Sequence, residues 1–217
     1  MAQTLASADG DALAARALLL QAAYLAPEGE DRDLLARGKA AAERALERDG
    51  THVEAMLYLV IALGYEARLE KPMAAHEAGY AREAKQLLKK AQSIDPDNPW
   101  VWATWGGWHA EIARSAGGFF ASLFYGASSA RARKAFERAI KLDPDNPAIR
   151  VEYAKVLLQM NRKYRDEAGG VLTAALSLPA RNAFEALIQD QGRRLLAALD
   201  DDDTLDAVLA EVVPFED

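Results

Sequence analysis

The feature that most constrains the fold is a repeated unit made of one helix and the turn that ends it. Residues 132–144 have a near-copy at residues 84–96, and both segments continue into Asp-Asn-Pro. Both fit the pattern A-x3-F/L-x2-A-x4-P. Two copies of one such unit indicate a stacked helical repeat, in which short helices bury their apolar faces against sequence neighbours.

Composition agrees with a helical chain and excludes several kinds of site. Alanine and leucine dominate and β-branched residues are sparse, which favours helix over strand. There is no cysteine, so disulfides, thiolate zinc sites and a cysteine nucleophile are excluded. No apolar run reaches the roughly 18 residues that a spanning helix needs, so no membrane span is predicted.

The distribution of charge and the first residues of the sequence bear on which partners the protein binds and in which compartment it lies. The formal net charge is −7, and residues 200–217 carry eight acids and no base. The near-neutral remainder does not favour nucleic acid, which calls for a basic face. No cleavable signal is visible at the start. The localisation stays unknown: cytoplasmic by default, and periplasmic or secreted if a signal peptide was removed before Ala2.

Helical periodicity runs nearly throughout, interrupted by Pro, Gly and Asp-Asn turns. Asn98 and Asn146 are predicted N-caps, each followed by proline at the first helical position. Thr51 and Glu54 predict a capping box. Helices are predicted at residues 11–25, 31–48, 51–69, 73–93, 99–115, 129–142, 147–160, 166–177 and 181–199, and a short one follows the aspartate run.

Residues 11–180 resemble the tetratricopeptide repeat, a helix–turn–helix of 34 residues with a W-x2-L-G-x2-Y first helix and an A-x3-F second helix ending at proline. The residues that carry this resemblance are Trp102, Trp105, Gly106 and His109, then Ala132, Phe136, Ala139 and Pro144. Weaker copies are carried by Gly38, Ala42, Ala45 and Gly50, and by Ala168, Leu172 and Ala175.

The resemblance implies an all-α fold, a right-handed α-α superhelix of about four helical hairpins plus a C-terminal capping helix. We expect one domain over residues 1–217, and the predicted repeats and cap are residues 11–50, 51–97, 98–145, 146–180 and 181–217. The chain is also similar to the helical-repeat proteins called regulators of microtubule dynamics and to their bacterial relatives.

The repeats are longer than usual. Asp143 lies 48 residues after Asp95, against the 34 residues of the family. The excess lies between His109 and Ala132, and a similar one lies between Leu63 and Ala84. Longer helices or inserted elements are therefore predicted at both helix–helix turns.

Four tryptophans fall within nine residues. On one helix Trp102 and Trp105 share a face and are predicted to pack, whereas Trp100 and Trp108 lie on another face. Tryptophan is a favoured interface anchor, so Trp100 and Trp108 are predicted to bind a partner. Packing alone is the alternative for both.

The resemblance further implies a concave groove lined by set positions of the first helices. Those positions hold Trp100, Ala103 and Gly107, then Glu54, Leu57 and Ile61, and then Ala148, Val151 and Lys155. We predict Leu57 and Ile61 as apolar groove residues, with Glu111 and Lys155 as polar edges. Family members that bind the C-terminal carboxylate of a peptide carry Lys, Asn and Arg at these positions. Here only Lys155 is of that kind, so a carboxylate clamp is not expected.

A second candidate surface is the glycine-bounded segment of residues 117–126. An exposed apolar patch usually marks an interaction site, and the alternative is a turn folded back over the repeat edge or into the groove. The aromatic residues predicted to contribute to binding here are Phe119, Phe120, Phe124 and Tyr125.

Enzyme and metal chemistry find no support in the motifs. The aspartates at 200–203 lack the alternation and glycine turn of a calcium loop and predict a helix start instead. The three histidines show no ligand spacing. No phosphate loop, nucleophile elbow or catalytic carboxylate pair is identified. We therefore expect no metal, no cofactor and no enzymatic activity.

The leading hypothesis is a non-enzymatic adaptor that binds a peptide or helix of another protein in its concave groove. One alternative is a carrier of a small apolar ligand, with residues 117–126 closing the groove. A further possibility is a homodimer formed through the same segment. The partner itself is not identified by the sequence.

Overall fold

The computed structural model describes residues 7–26, 29–115 and 120–215, and all regular structure within them is helical. The chain divides into two compact units, residues 1–96 and 97–217. This boundary falls between the second and third predicted repeats. That all repeats form one continuous domain stays a prediction.

The first unit contains two helical hairpins. The first pairs α1 with α2, and the second pairs α3 with α5 while the short α4 lies at the turn between them. This is the arrangement predicted for the first two repeats. The helices are α1 (Ala8–Tyr24), α2 (Asp31–Arg48), α3 (Val53–Leu69), α4 (Pro72–Ala78) and α5 (Tyr80–Ile94).

Small residues let the helices of each hairpin approach closely. A Cβ atom added at Gly38 would lie 2.9 Å from Cγ of Leu19, so α1 and α2 are in contact at this point. In α5 the repeat residues Ala84, Leu88 and Ala91 are all buried. The predicted small-large-small pattern of the second helices is therefore the pattern that packs.

Two local predictions in this unit were wrong. The Thr51 hydroxyl donates to Oδ1 of Asp49 at 2.6 Å, so Thr51 is held in the preceding turn and does not cap α3. Instead Nδ1 of His52 accepts the N–H of Ala55 at 3.2 Å. The single helix predicted at 73–93 is broken at Gly79, whose φ of +79° glycine adopts without strain.

The second unit contains two further hairpins and a C-terminal pair. Helix α6 pairs with α7 and α8 pairs with α9, while α10 packs on α8 and α9, and α11 packs on α10. The elements are α6 (Pro99–Ser115), a π-helical turn (Ala121–Tyr125), α7 (Ser129–Leu142), α8 (Pro147–Met160), a 3-10 turn (Arg162–Tyr164), α9 (Arg165–Leu176), α10 (Ala183–Ala198) and α11 (Asp202–Val212).

The tetratricopeptide positions form the core of the first hairpin here. A Cβ atom added at Gly106 would lie 2.4 Å from the ring of Phe136, which in turn stacks on Tyr153 at 5.1 Å. Asn146 caps α8 through the N–H of Ile149 at 3.2 Å, as predicted. The predicted all-α fold of helical hairpins is confirmed, and short helical elements occupy both of the longer turns.

The aspartate run begins α11, as predicted, and also joins it to the rest of the unit. Asp201 accepts the N–H of Thr204 at 2.8 Å and so caps the helix. Asp202 pairs with Arg165 and Arg162. The hydrogen bond from Arg165 is the main reason that the pKa of Asp202 lies below its usual range. None of the helices in the described ranges combines the length and apolarity needed to cross a bilayer.

Candidate functional site

Trp100 lies at the start of α6 and is partly open to solvent. Its backbone N–H donates to Oδ1 of Asn98 at 2.9 Å, which fixes the first turn of the helix. Its ring lies 6.1 Å from that of Phe184, at a tilt of 54°. Both side chains are half-buried. Two partly exposed rings from different helices thus adjoin each other on the second unit.

Of the other three tryptophans of α6, Trp105 packs as predicted, whereas Trp102 and Trp108 depart from the predicted division between packing and open faces. Trp105 and Trp108 are 8% and 7% exposed, and their rings meet edge to face at 5.5 Å. The ring of His109 stacks on Trp105 at 5.4 Å. Trp108 is therefore buried, not open as expected, whereas Trp102 is half-buried.

A strip of half-buried residues runs along α6 from Trp100. Thr104, Gly107 and Glu111 continue it at helical spacing, so the four positions share one face. A Cβ atom added at Gly107 would have no atom within 4 Å, so the helix backbone is open at this point. Glu111 closes the strip and accepts a hydrogen bond from Arg114 at 2.7 Å. We call Trp100, Thr104, Gly107 and Glu111 the α6 strip.

The predicted groove positions on α8 are not open. Lys155 is 3% exposed, and its Nζ donates to Gln191 of α10 at 2.7 Å and to Glu152 at 2.8 Å. A Cβ atom added at Gly192 would lie 2.9 Å from Val151, so α10 sits directly on this face. The prediction that Lys155 forms an open polar edge was wrong, because α10 covers it and satisfies its charge.

In the first unit only one of the two predicted groove residues is partly open. Leu57 is 5% exposed and belongs to the buried side of α3. Ile61 is half-buried. Leu57 therefore contributes to the core and offers no surface to a ligand.

The segment of residues 120–125 groups three exposed large apolar side chains within a few residues of one another. Phe120, Leu123 and Phe124 are 56%, 64% and 67% exposed. The rings of Phe120 and Phe124 are nearly parallel, 6.0 Å apart. Tyr125 is half-buried, and the predicted Phe119 lies outside the described residues. We call Phe120, Leu123 and Phe124 the aromatic turn.

The aromatic turn is anchored at its base. Ala121 and Ala127 are both fully buried, and the N–H of Ala127 donates to the carbonyl of Ala121 at 3.0 Å. Gly126, with a φ of +68°, reverses the chain between them. Arg131 of α7 donates to the carbonyl of Gly126. The turn thus has a fixed base and an exposed apolar tip, and its closure over an apolar ligand stays a prediction.

A polar network between α7, α8 and α9 is structural. Arg133 donates to both carboxylate oxygens of Glu167 at 3.0 Å, and the Tyr153 hydroxyl donates to the same group at 2.8 Å. Burial, assisted by the Glu167 carboxylate, raises the pKa of Tyr153 to about 12. The Glu167 carboxylate is therefore occupied by Arg133 and Tyr153. In the described ranges no set of three His, Asp or Glu side chains is grouped to hold a metal ion.

Sequence reasoning did not identify Phe184 as a neighbour of Trp100. It belongs to the segment predicted as a cap, and helical capping segments carry no binding signal of their own. The Asn182 cap places Phe184 in the first turn of α10. Trp100 and Phe184 both lie in the first turn of their helices, so an aromatic residue just after an asparagine cap is the sequence signal that the two share.

Comparisons with known proteins place the chain in a family. No curated protein matches it. A solved chain from a study of Pseudomonas aeruginosa PilF is 19% identical over 92% of this chain and 90% of that one, with a TM-score of 0.30. That likeness is too low to support an argument. Residues 9–200 match the family described as regulator of microtubule dynamics protein 1-3. The match spans most of the sequence, so the chain belongs to the regulator of microtubule dynamics protein 1-3 family.

Proposed function

We propose that this protein is a non-enzymatic scaffold that binds a segment of another protein along the α6 strip. Helical-hairpin folds are typical of protein-interaction roles, because each hairpin adds a rigid face with little irregular structure. The proposal extends this general role to a particular surface of the second unit. It replaces the wider groove expected from the sequence, since Trp108, Lys155 and Leu57 are buried.

The observation that carries the proposal is the half-buried Trp100 beside Phe184, at the start of a strip that is open at Gly107. A partly exposed tryptophan supplies a large rigid contact and one N–H donor, and such residues dominate binding energy at many interfaces. The missing side chain at Gly107 lets a partner backbone approach the helix. Glu111 sets a polar end to the strip.

The strip favours an apolar partner segment over a carboxylate terminus. A carboxylate-binding site needs cationic donors, and Lys155 is already occupied by Glu152 and Gln191. The charged group on the strip is the Glu111 carboxylate, and Arg114 already pairs with it at 2.7 Å. We therefore expect a partner segment with an apolar anchor for Trp100 and polar, uncharged groups near the pair of Glu111 and Arg114.

The test compares substitutions at Gly107 that differ in size. Gly107→Arg fills the strip, and Gly107→Ala adds only a Cβ atom in open space. Gly170→Arg is the control, because Gly170 lies in α9, away from the strip, and a Cβ atom added there likewise has no atom within 4 Å. Affinity capture with quantitative mass spectrometry identifies the proteins lost with Gly107→Arg and with Trp100→Ala. The proteins so identified are then purified and titrated against each variant by calorimetry.

Trp100→Ala at an interface anchor is expected to cost about 2 kcal/mol or more, which is roughly thirtyfold in Kd. Gly107→Arg should weaken binding at least as much, while Gly107→Ala and Gly170→Arg bind as the wild type does. Equal loss with Gly170→Arg, or full binding by Gly107→Arg, would refute the assignment to the strip.

A further inference from the structure

A second surface, separate from the α6 strip, combines exposed apolar side chains with positive charge. More than half of each side chain in the aromatic turn is open to water. Isolated exposed apolar residues are ordinary, but three within five residues at the tip of an inserted turn form a patch that usually has a partner.

The charge around the aromatic turn is opposite to that of the chain as a whole. Residues 112–136 hold four basic residues and no acidic one, although the chain carries a net charge of −7. Two of the four are already in ion pairs, Arg114 with Glu111 and Arg133 with Glu167. Arg131 and Lys134 are exposed on α7, directly after the turn, and Arg131 reaches back to the carbonyl of Gly126. The cationic side chains therefore lie next to the apolar ones in the chain.

We propose that the aromatic turn docks on the surface of an anionic lipid bilayer. Phenylalanine and leucine side chains at such a surface enter the boundary between headgroups and acyl chains, and neighbouring Lys and Arg side chains interact with anionic headgroups. The inference goes beyond the proposed function, because it uses other residues and a different kind of partner.

The same charge argues against a second copy of this chain as the occupant. A symmetric contact through the aromatic turn would bring the exposed Arg131 and Lys134 of two copies together, and like charges repel across an interface. An anionic bilayer instead complements them. The charge pattern therefore favours the lipid surface over the homodimer.

The aromatic turn is fixed at its base, which favours insertion of its tip into the surface of a bilayer. Ala121 and Ala127 hold both ends by burial and by a direct hydrogen bond. A short, fixed tip loses little conformational freedom when it enters an ordered interface. Because only a few side chains insert, binding is expected to be reversible and sensitive to lipid charge.

The experiment uses the full chain and exploits its lack of cysteine. Leu123→Cys carries an environment-sensitive fluorophore, and Leu13→Cys carries the same label as control, since Leu13 is 65% exposed and Leu123 is 64% exposed. Each is mixed with vesicles of phosphatidylcholine alone or of phosphatidylcholine with phosphatidylserine. A blue shift is expected only for the label at 123 and only with phosphatidylserine.

Co-sedimentation with the same vesicles measures the contribution of each group. Leu123→Ser is expected to lower partition about tenfold or more, and Leu13→Ser to leave it unchanged. Arg131→Gln and Lys134→Gln should each lower it about fivefold. Binding should also fall as added salt shortens the screening length from about 10 Å at 0.1 M to about 3 Å at 1 M.

Four results would overturn the inference. One is a wild type that binds neither kind of vesicle, and another is equal loss with Leu13→Ser and Leu123→Ser. A third is equal, salt-independent binding to uncharged vesicles. The fourth is a lipid-free dimer that Leu123→Ser converts to monomer, which would assign the turn to a second copy. Because the vesicles contain no protein, none of these results depends on the α6 strip.

Discussion

Two adjacent glycines in α6 should respond to alanine in opposite directions. At Gly106 the added Cβ atom would lie 2.4 and 2.5 Å from two ring carbons of Phe136. Carbon atoms in contact prefer about 3.5–4.0 Å. At Gly107 the same atom would have no neighbour within 4 Å. Comparing alanine at these two positions therefore distinguishes the cost of a steric clash from the gain in helix propensity, within one turn of the same helix.

The Phe136 ring has little room to move away from Gly106. It is 2% exposed and stacks on Tyr153 at 5.1 Å, and the Tyr153 hydroxyl is itself held by Glu167. Overpacking of this kind costs about 1–3 kcal/mol. Replacing glycine by alanine within a helix returns about 1 kcal/mol. Because the ring is held in place we take the upper part of the overpacking range, about 2–3 kcal/mol, and expect a net loss of about 1–2 kcal/mol for Gly106→Ala. For Gly107→Ala we expect a gain of about 0.5–1 kcal/mol.

Urea and thermal unfolding followed by circular dichroism measure this difference. A separation of about 1.5–3 kcal/mol corresponds to roughly 3–12 °C in Tm for a chain of this size. Phe136→Leu combined with Gly106→Ala should recover part of the loss, because the smaller side chain vacates the overlapped space. Changes of the same sign at 106 and 107, or no recovery in the double variant, would refute the packing argument.

Three further predictions concern polar groups. Tyr153→Phe should cost about 1–2 kcal/mol near neutral pH, because the hydrogen bond to Glu167 is lost. The pKa of Tyr153 is raised from 10.0 to about 12, so the contribution of this hydroxyl to stability is complete below pH 10 and lost as the pH rises through 12. Urea unfolding at a series of alkaline pH values should therefore show a shallower loss of stability in the variant than in the wild type. Lys155→Met should cost about 1–3 kcal/mol, because Gln191 stays buried without its donor. Adding Gln191→Leu should restore much of that stability in the same urea assay. Additive losses in the double variant would contradict an energetic coupling between the two side chains. His52→Ala should lower stability by about 1 kcal/mol through loss of the α3 cap, and His52→Asn should lose less by thermal unfolding; equal losses would argue against capping.

The helices and their packing faces could be predicted because their signals are local. Asn146 followed by proline marks a helix start wherever it occurs, and the spacing of Ala132, Phe136 and Ala139 defines one face of one helix. The cap at His52 was not predicted, because its side chain is not among those of the usual capping signal. The capping signal rests on hydroxyl, amide and carboxylate oxygens, and a ring nitrogen in that role is not part of it.

The candidate site depended more on contacts between distant segments. Periodicity placed Trp108 off the packing face, and the tetratricopeptide resemblance placed Lys155 in the groove, but neither signal says which neighbouring helix covers a face. Lys155 is covered because α10 approaches through Gly192, a contact between residues 36 or more positions apart. The exposed aromatic turn was the more predictable surface, because glycines bound it and its composition is unlike that of the helices around it.

The docking of α11 has a practical consequence for anyone who trims the protein to its family boundary. The family match ends at residue 200, and α11 starts at Asp202. A fragment cut there would lose the carboxylates that neutralise Arg162 and Arg165 and would present two uncompensated guanidinium groups. Such a fragment should stick to polyanions such as heparin or DNA during purification, and that affinity would belong to the cut rather than to the intact molecule.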